Sequence, residues 1–392
     1  MSTAVTPEIP VVPAATAVTS APPQRLQSLD IFRGMTIAGM IIVNQLPATS
    51  YAPLEHAEWN GWTHTDLIFP FFLFIVGVSM ALSFAARRTR GDGNRKLVLQ
   101  STRRALTIYA IGFFLAAFPF YEGILSRIRI MGVLQRIALV YLLAAPIYLF
   151  VSKRARAFIT LALLVVYDLL MHFVPVPGFG AGNLSPDGNL AAYIDRALMP
   201  GHLWSVSKTW DPEGLLSTMG ALATCLLGTF IGELFLEELD AQKRLRKLFL
   251  GGAVYMALAY LWNPWFPINK GIWTSSYVLF TAGYAMWALA VLHYFIDIRS
   301  WMQTVSKPFL WLGANPILAF TLSTFVAKYI FILLKTTYNQ RSVSWAGYAY
   351  NSWFRPWFDD TRNASLAFGL AYLLFWVLVM GWFYRKKIFL RV

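Results

Sequence analysis

The sequence is poor in charge and nearly without cysteine. Only 13% of its 392 residues are charged, while 57% are hydrophobic. Soluble domains carry roughly a quarter charged residues, so this balance excludes an ordinary water-soluble globular fold. Acids are scarcer than bases, 19 against 33, and the formal net charge is +14. The one cysteine, Cys225, lies in an apolar run. No intramolecular disulfide can form, and a lone thiol with no base placed beside it is a packing residue rather than a nucleophile. Histidine is also scarce, five in all. No histidine–carboxylate set has metal-ligand spacing, and no glycine-rich phosphate loop precedes a helix, so no metal site is expected. Residues 1–24 have neither a basic n-region nor a long apolar core, which excludes a signal peptide; their Ala, Pro, Thr and Val content predicts a disordered tail.

What the chain has in abundance is long apolar runs. They predict an all-α, polytopic membrane helix bundle of about ten spans, near 29–46, 65–86, 104–121, 131–151, 157–174, 214–237, 247–262, 273–297, 308–335 and 364–384. A single domain over 25–392 is expected. The basic residues cluster in alternate connections: Arg87, Arg88, Arg90, Arg95 and Lys96 after the second span, Lys153, Arg154 and Arg156 after the fourth, Lys243 to Lys247 after the sixth. The first connection, 47–64, has none. The positive-inside rule then places both termini in the cytoplasm, and it explains the net charge without a nucleic-acid partner. The bilayer is the expected surrounding, and the cytoplasmic (inner) membrane the expected location. Two outer loops are long, 175–213 and 336–363, the first with a short helix near 190–198. Asp211-Pro212-Glu213 fits a helix start.

One stretch organises the rest, from His56 through Trp59-Asn60-Gly61-Trp62, His64 and Asp66 into the apolar run to Met80. Asp66 stands at the mouth of a span, where an ionisable group is costly; it is either an N-terminal helix charge or a functional group. Arg136 is about five residues into its own span, or about 8 Å at 1.5 Å per residue. It matches Asp66 in depth and opposes it in charge, so the two are expected to pair. Asn44, Lys270 and Lys328 are expected at the same outer depth. Histidine is the side chain suited to proton transfer near neutrality. Trp59, Asn60, Trp62 and Lys270 near His56 suit a sugar-binding, partly desolvated pocket. His64 is the alternative histidine.

These motifs carry a resemblance. Ser28-Leu-Asp-Ile-Phe-Arg-Gly34 with Val43-Asn44, the His56–Met80 stretch, Gly132-Val-Leu-Gln-Arg-Ile-Ala138, Asp211-Pro-Glu-Gly214, Ile272-Trp-Thr-Ser-Ser-Tyr-Val278 and Gly313-Ala-Asn-Pro-Ile317 together resemble the transmembrane acyltransferases related to heparan-α-glucosaminide N-acetyltransferase. The resemblance implies an acetyltransferase using cytoplasmic acetyl-CoA as co-substrate, without a metal, and it makes His56 the catalytic histidine. His56 would act as general base or carry a covalent acetyl, with Asn44 donating to the oxyanion and Asp66 in support. Arg33, Arg103, Arg104 and Arg136 are the candidate cofactor-binding residues, since arginine suits phosphates. The animal members carry a further span and a luminal extension ahead of the Ser-Leu-Asp block, which residues 1–24 do not supply. The expected acceptor is therefore glucosamine or a related small amino sugar or envelope glycan. A homodimer is a further expectation. A transporter of N-acetylglucosamine or a related sugar is the alternative; matched broken helices would favour it, and Asn315-Pro316 is one candidate break.

Overall fold

A computed structural model describes residues 26–390; the tail expected over 1–24 lies outside the described residues. The chain forms thirteen helices there: α1 (Gln27–Val43), α2 (His64–Arg88), α3 (Asn94–Ala117), α4 (Val133–Phe150), α5 (Lys153–Phe173), α6 (Leu190–Leu198), α7 (Thr218–Glu237), α8 (Ala241–Trp262), α9 (Ser275–Leu292), α10 (Lys307–Ala314), α11 (Pro316–Lys328), α12 (Trp345–Ala349) and α13 (Thr361–Arg385). One hairpin, β1 (Lys335–Tyr338) with β2 (Arg341–Ser344), lies in the 336–363 loop. Asn339 and Gln340 make its turn with positive φ, 48° and 62°. The short helix expected near 190–198 is α6. The architecture is the all-α membrane bundle expected from composition.

Every expected span is helical, but among the described residues only seven helices are long and apolar enough to cross a bilayer: α2, α4, α5, α7, α13, and α9 and α11 with their π-helical extensions. The other three fall short for separate reasons. α1 has 17 residues, while α3 and α8 keep two bases each within their most apolar 18 residues, Arg103 and Arg104 in one and Arg246 and Lys247 in the other. The ninth span is two helices. Asn315 sits between α10 and α11 outside helical geometry (φ −132°, ψ 55°), because Pro316 has no N–H to continue the ladder. The Asn315 amide instead binds the chain's far end: Nδ2 donates to Ile388 O (2.8 Å) and Oδ1 accepts from Leu390 N–H (3.1 Å).

α2 and α7 form the centre, each with 67% of its span buried inside the protein, against 28% for α13 and 17% for α11 at the rim. Two glycines set their distance. A Cβ on Gly77 would stand 1.9 Å from Cys225 O, and one on Gly228 would stand 2.1 Å from Phe74 O. Backbone therefore touches backbone, the small-residue packing that membrane helices use. Cys225 is fully buried at this contact, as its packing role requires.

Candidate active site

The start of α2 builds the site. Asp66 Oδ2 accepts the Thr63 N–H (3.0 Å), closing a capping box, and the Ala57 N–H (3.0 Å). Its Oδ1 meets His56 Nδ1 at 2.7 Å. The helix-start and functional readings of Asp66 thus hold together: one carboxylate, 1% exposed, caps the helix and fixes the histidine. Since Asp66 holds the Nδ1 proton, Nε2 carries the free lone pair. The His56 side chain is 51% exposed, so that lone pair can reach a reactant. Tyr277 on α9 donates to the Asp66 backbone carbonyl and ties this corner to the core.

Lys270 reaches in from the loop before α9. Its Nζ lies 3.4 Å from Asp66 Oδ1 and 2.9 and 3.2 Å from the two ring nitrogens of His56. Burial pulls its ammonium below the usual lysine range, against the opposing charges of Asp66 and Glu213. The loop is pinned to the histidine segment: Gly61 N–H donates to Ile268 O (2.8 Å) and Asn269 Nδ2 to Asn60 Oδ1 (3.0 Å). Gly61 makes that turn at φ +97°, which a side chain would strain.

His56, Asp66, Asn44, Trp59 and Lys270 line one cavity of about 390 Å³, hereafter the histidine cavity. Trp59 donates through Nε1 to Leu184 O (3.0 Å) and meets Trp210 edge-on, with centroids 5.0 Å apart. Its opposite wall is an ion cluster that sequence reasoning missed. Arg129 contacts Asp211 (Nε to Oδ2, 2.8 Å) and Glu213. Burial alone would lower the Arg129 pKa, but Glu213 and Asp211 hold it raised. Burial alone would raise Glu213, yet Arg129, Arg136 and Lys270 bring it below its ordinary value. Asp195 on α6 accepts the Leu215 N–H (2.8 Å), and burial pushes its carboxyl up to about 6. The expected helix start at Asp211 is corrected: α7 begins at Thr218, and both acids turn to Arg129. Two acids within three residues, Asp211 and Glu213, were the available signal.

A second cavity, about 360 Å³, lies towards the other end of α2. Arg33, Arg87 and Arg104 line it with Ser79 and Ser83, so we call it the arginine cavity. Arg33 binds Asp30 (3.0 Å), Gly313 O (3.2 Å) and Ser79 Oγ (2.6 Å). Arg104 lies over the Tyr141 ring at 4.9 Å, and its buried Nε has no hydrogen-bond acceptor among the described residues. Met40, Val133 and Phe320 belong to the walls of both cavities. The α2 lining runs as one stripe, Asp66, Phe69, Phe72, Val76, Ser79, Ser83 and Arg87, at the three-to-four-residue spacing of a helix face.

Several expected site residues stand elsewhere. Arg136 does not pair with Asp66. It is fully buried, donates to Gly214 O (2.8 Å) and Ser217, lies 5.1 Å over Trp273, and lines neither cavity. Arg103, one residue from Arg104, points outward and is exposed. Trp62 packs into the core on Phe280 and Tyr284, with His64 against its edge. Asn60 is a loop brace outside the cavity wall. Lys328 stands at the end of the bundle where it was expected but away from the histidine cavity, donating to Leu115 O (2.5 Å) and Phe118 O (3.0 Å) and so capping the end of α3. No group of three His, Cys, Asp or Glu side chains suited to a metal occurs among the described residues.

The fold and site together define a multi-pass membrane protein with a carboxylate-oriented histidine facing a cavity at one end of its central helix. Residues 25–195 match the family described as heparan-alpha-glucosaminide N-acetyltransferase, catalytic. The chain is 29% identical to human heparan-alpha-glucosaminide N-acetyltransferase over 426 aligned residues, covering 95% of this chain and 61% of that protein. It is 26% identical to the mouse protein over 421, covering 94% and 60%. The family resemblance read from the motifs holds over nearly the whole chain, which spans about three fifths of the length of these relatives.

Proposed function

We propose that the protein is an acyltransferase that moves acetyl from acetyl-CoA to the amine of a glucosamine-type sugar or a glycan hydroxyl bound in the histidine cavity. The observation that carries this reading is the shared wall: a cavity with an oriented His–Asp pair adjoins a cavity edged by three arginines, with only Met40, Val133 and Phe320 between them. A donor with a phosphate-bearing head and a long thin arm ending in a thioester matches that sequence of environments. Arg33, Arg87 and Arg104 hold the phosphates. The arginine cavity reaches Phe72 on α2, about 9 Å along the helix from Asp66. The arm covers that distance beside apolar side chains.

In the histidine cavity, His56 Nε2 takes the proton of the attacking amine, and Asp66 steadies the imidazolium that results. Asn44 supplies an amide N–H towards the thioester oxygen as charge gathers there. Trp59 and Trp210 give the acceptor ring an apolar wall. By the distribution of lysine and arginine, the histidine cavity opens to the outer face and the arginine cavity to the cytoplasm. The reaction then draws on the cytoplasmic acetyl-CoA pool and acetylates a sugar outside, from a cytoplasmic membrane.

A transporter would need matched broken helices. The break at Asn315 is closed by the C-terminal segment, and that use of its side chain does not favour a substrate site there. The test is purified protein in detergent with acetyl-labelled acetyl-CoA and a panel of amino sugars. Label on a sugar amine is the expected result. Sugar binding without any thioester cleavage would move the reading to transport.

A further inference from the structure

Lys270 is the amine nearest to the proposed base, and the mechanism above makes no use of its nucleophilicity. Its Nζ stands 2.9 and 3.2 Å from the two His56 ring nitrogens, against the ring, so a turn about its own side-chain bonds brings it to the Nε2 lone pair where an acceptor amine gives up its proton. The side chain lines the histidine cavity and is only 19% exposed. The loop cannot easily carry it away. Besides the bonds to Gly61 and Asn60, Asn269 Oδ1 accepts the Ile272 N–H (3.1 Å), and Asn269 N–H and Thr274 Oγ1 join at 3.1 Å. Burial favours the neutral amine, the nucleophilic form.

We propose that Lys270 is a self-acetylation site, modified when an acetyl thioester reaches the histidine cavity and no acceptor amine is present. The proposal rests on the reading of the protein as an acetyl-CoA-dependent transferase. The chemistry balances with the donor alone. The Lys270 ammonium first loses a proton through His56 to solvent. The neutral nitrogen then forms an N–C bond to the thioester carbonyl carbon, and the C–S bond breaks. The second proton, shed by the acylated nitrogen, leaves with the thiolate as free CoA thiol. The product is an amide, and the site offers no route to reverse it. It removes the one cation beside Asp66 and fills the position of the incoming amine, so modified protein loses turnover. A bound acceptor protects the enzyme by displacing the Lys270 amine and by consuming the thioester.

The experiment incubates purified protein with acetyl-labelled acetyl-CoA without acceptor, digests it, and follows labelled peptides by mass spectrometry. Lys208 and Lys335, both exposed and on two other connections, report the uncatalysed background. Held proximity predicts Lys270 labelling at least about tenfold faster than either. Saturating glucosamine should suppress it, and His56→Ala should return it to background. Transfer activity measured after pre-incubation should fall in step with the Lys270 label, while Lys270→Arg should show no time-dependent fall. If sugar is acetylated but Lys270 labels no faster than Lys208 and Lys335, or labels equally in His56→Ala, self-acetylation is overturned and the transferase reading stands. If no thioester is cleaved with any acceptor, both are overturned.

Discussion

The histidine and arginine cavities are close in size and share three lining residues, yet they treat charge in opposite ways. In the first, charge is met by charge: Lys270 by Asp66, which also orients His56, and Arg129 by Asp211 and Glu213. In the second, three arginines converge and no carboxylate lines the wall among the described residues. Arg33 does have Asp30 behind it. The first site is ready without a ligand, since the oriented base and its counter-charge already stand in place. The second carries an excess of positive charge on its wall, which suits an anion.

The largest effect expected from breaking this contrast is on chemistry alone. His56→Ala should cut acetyl transfer by about 10²–10⁴-fold while acetyl-CoA affinity, measured by calorimetry, stays close to wild type. Near-normal turnover would remove His56 from the mechanism. Arg129→Gln attacks the same cavity through stability. It leaves Asp211 and Glu213 buried without their cation, which costs about 3–5 kcal/mol, read as a lowered unfolding temperature in detergent. An unchanged temperature would show that the cluster is solvated.

The arginine cavity should answer the other way. Arg87→Ala with Arg104→Ala should weaken acetyl-CoA binding by roughly 10–100-fold, about 1.4–2.7 kcal/mol, with turnover at saturating donor changed little. A fall in saturated turnover with affinity intact would place the donor elsewhere. Arg103→Ala, on the outward side of α3, is the matched control.

The smallest effect is a gain. The Asp195 carboxyl titrates at about 6 in the fold against 3.8 ordinarily, so between those values the folded chain holds a proton that the unfolded chain has released. Stability attributable to Asp195 therefore declines as pH rises from about 4 to 6, and the full cost, about 3 kcal/mol at most, is present at pH 7. Asp195→Asn keeps the acceptor for Leu215 and should raise the unfolding temperature at pH 7 but not at pH 4. A loss of stability at pH 7 would mean that the ionised form is favoured after all.

What could be read from the sequence follows chain distance. His56 and Asp66 lie in one loop-to-helix segment, joined by an Asn-Gly turn and a capping box, so local rules bring them together. The Arg129 cluster joins partners 82 and 84 residues apart, and nothing local announces it. Arg136 shows a subtler limit. Counting residues into a span gives depth, and Asp66 and Arg136 do match in depth. It gives no angle around the bundle, and angle decides who touches. Arg103 and Arg104 make the same point within one helix, since adjacent residues differ by about 100° and only the second faces the cavity. The 335–344 hairpin escaped notice because its turn is Asn-Gln, without the glycine that usually marks such loops.

The amide of Asn315 has a practical side. It holds Ile388 and Leu390, and Leu390 is itself part of the arginine cavity wall. The segment 388–390 is therefore masonry, not an appendage. Affinity tags, fluorescent fusions and truncations that disturb residues 388–390 would alter the rim past which a phosphate-bearing donor would travel. Assays on such preparations report the handle together with the enzyme, and a removable tag separates the two.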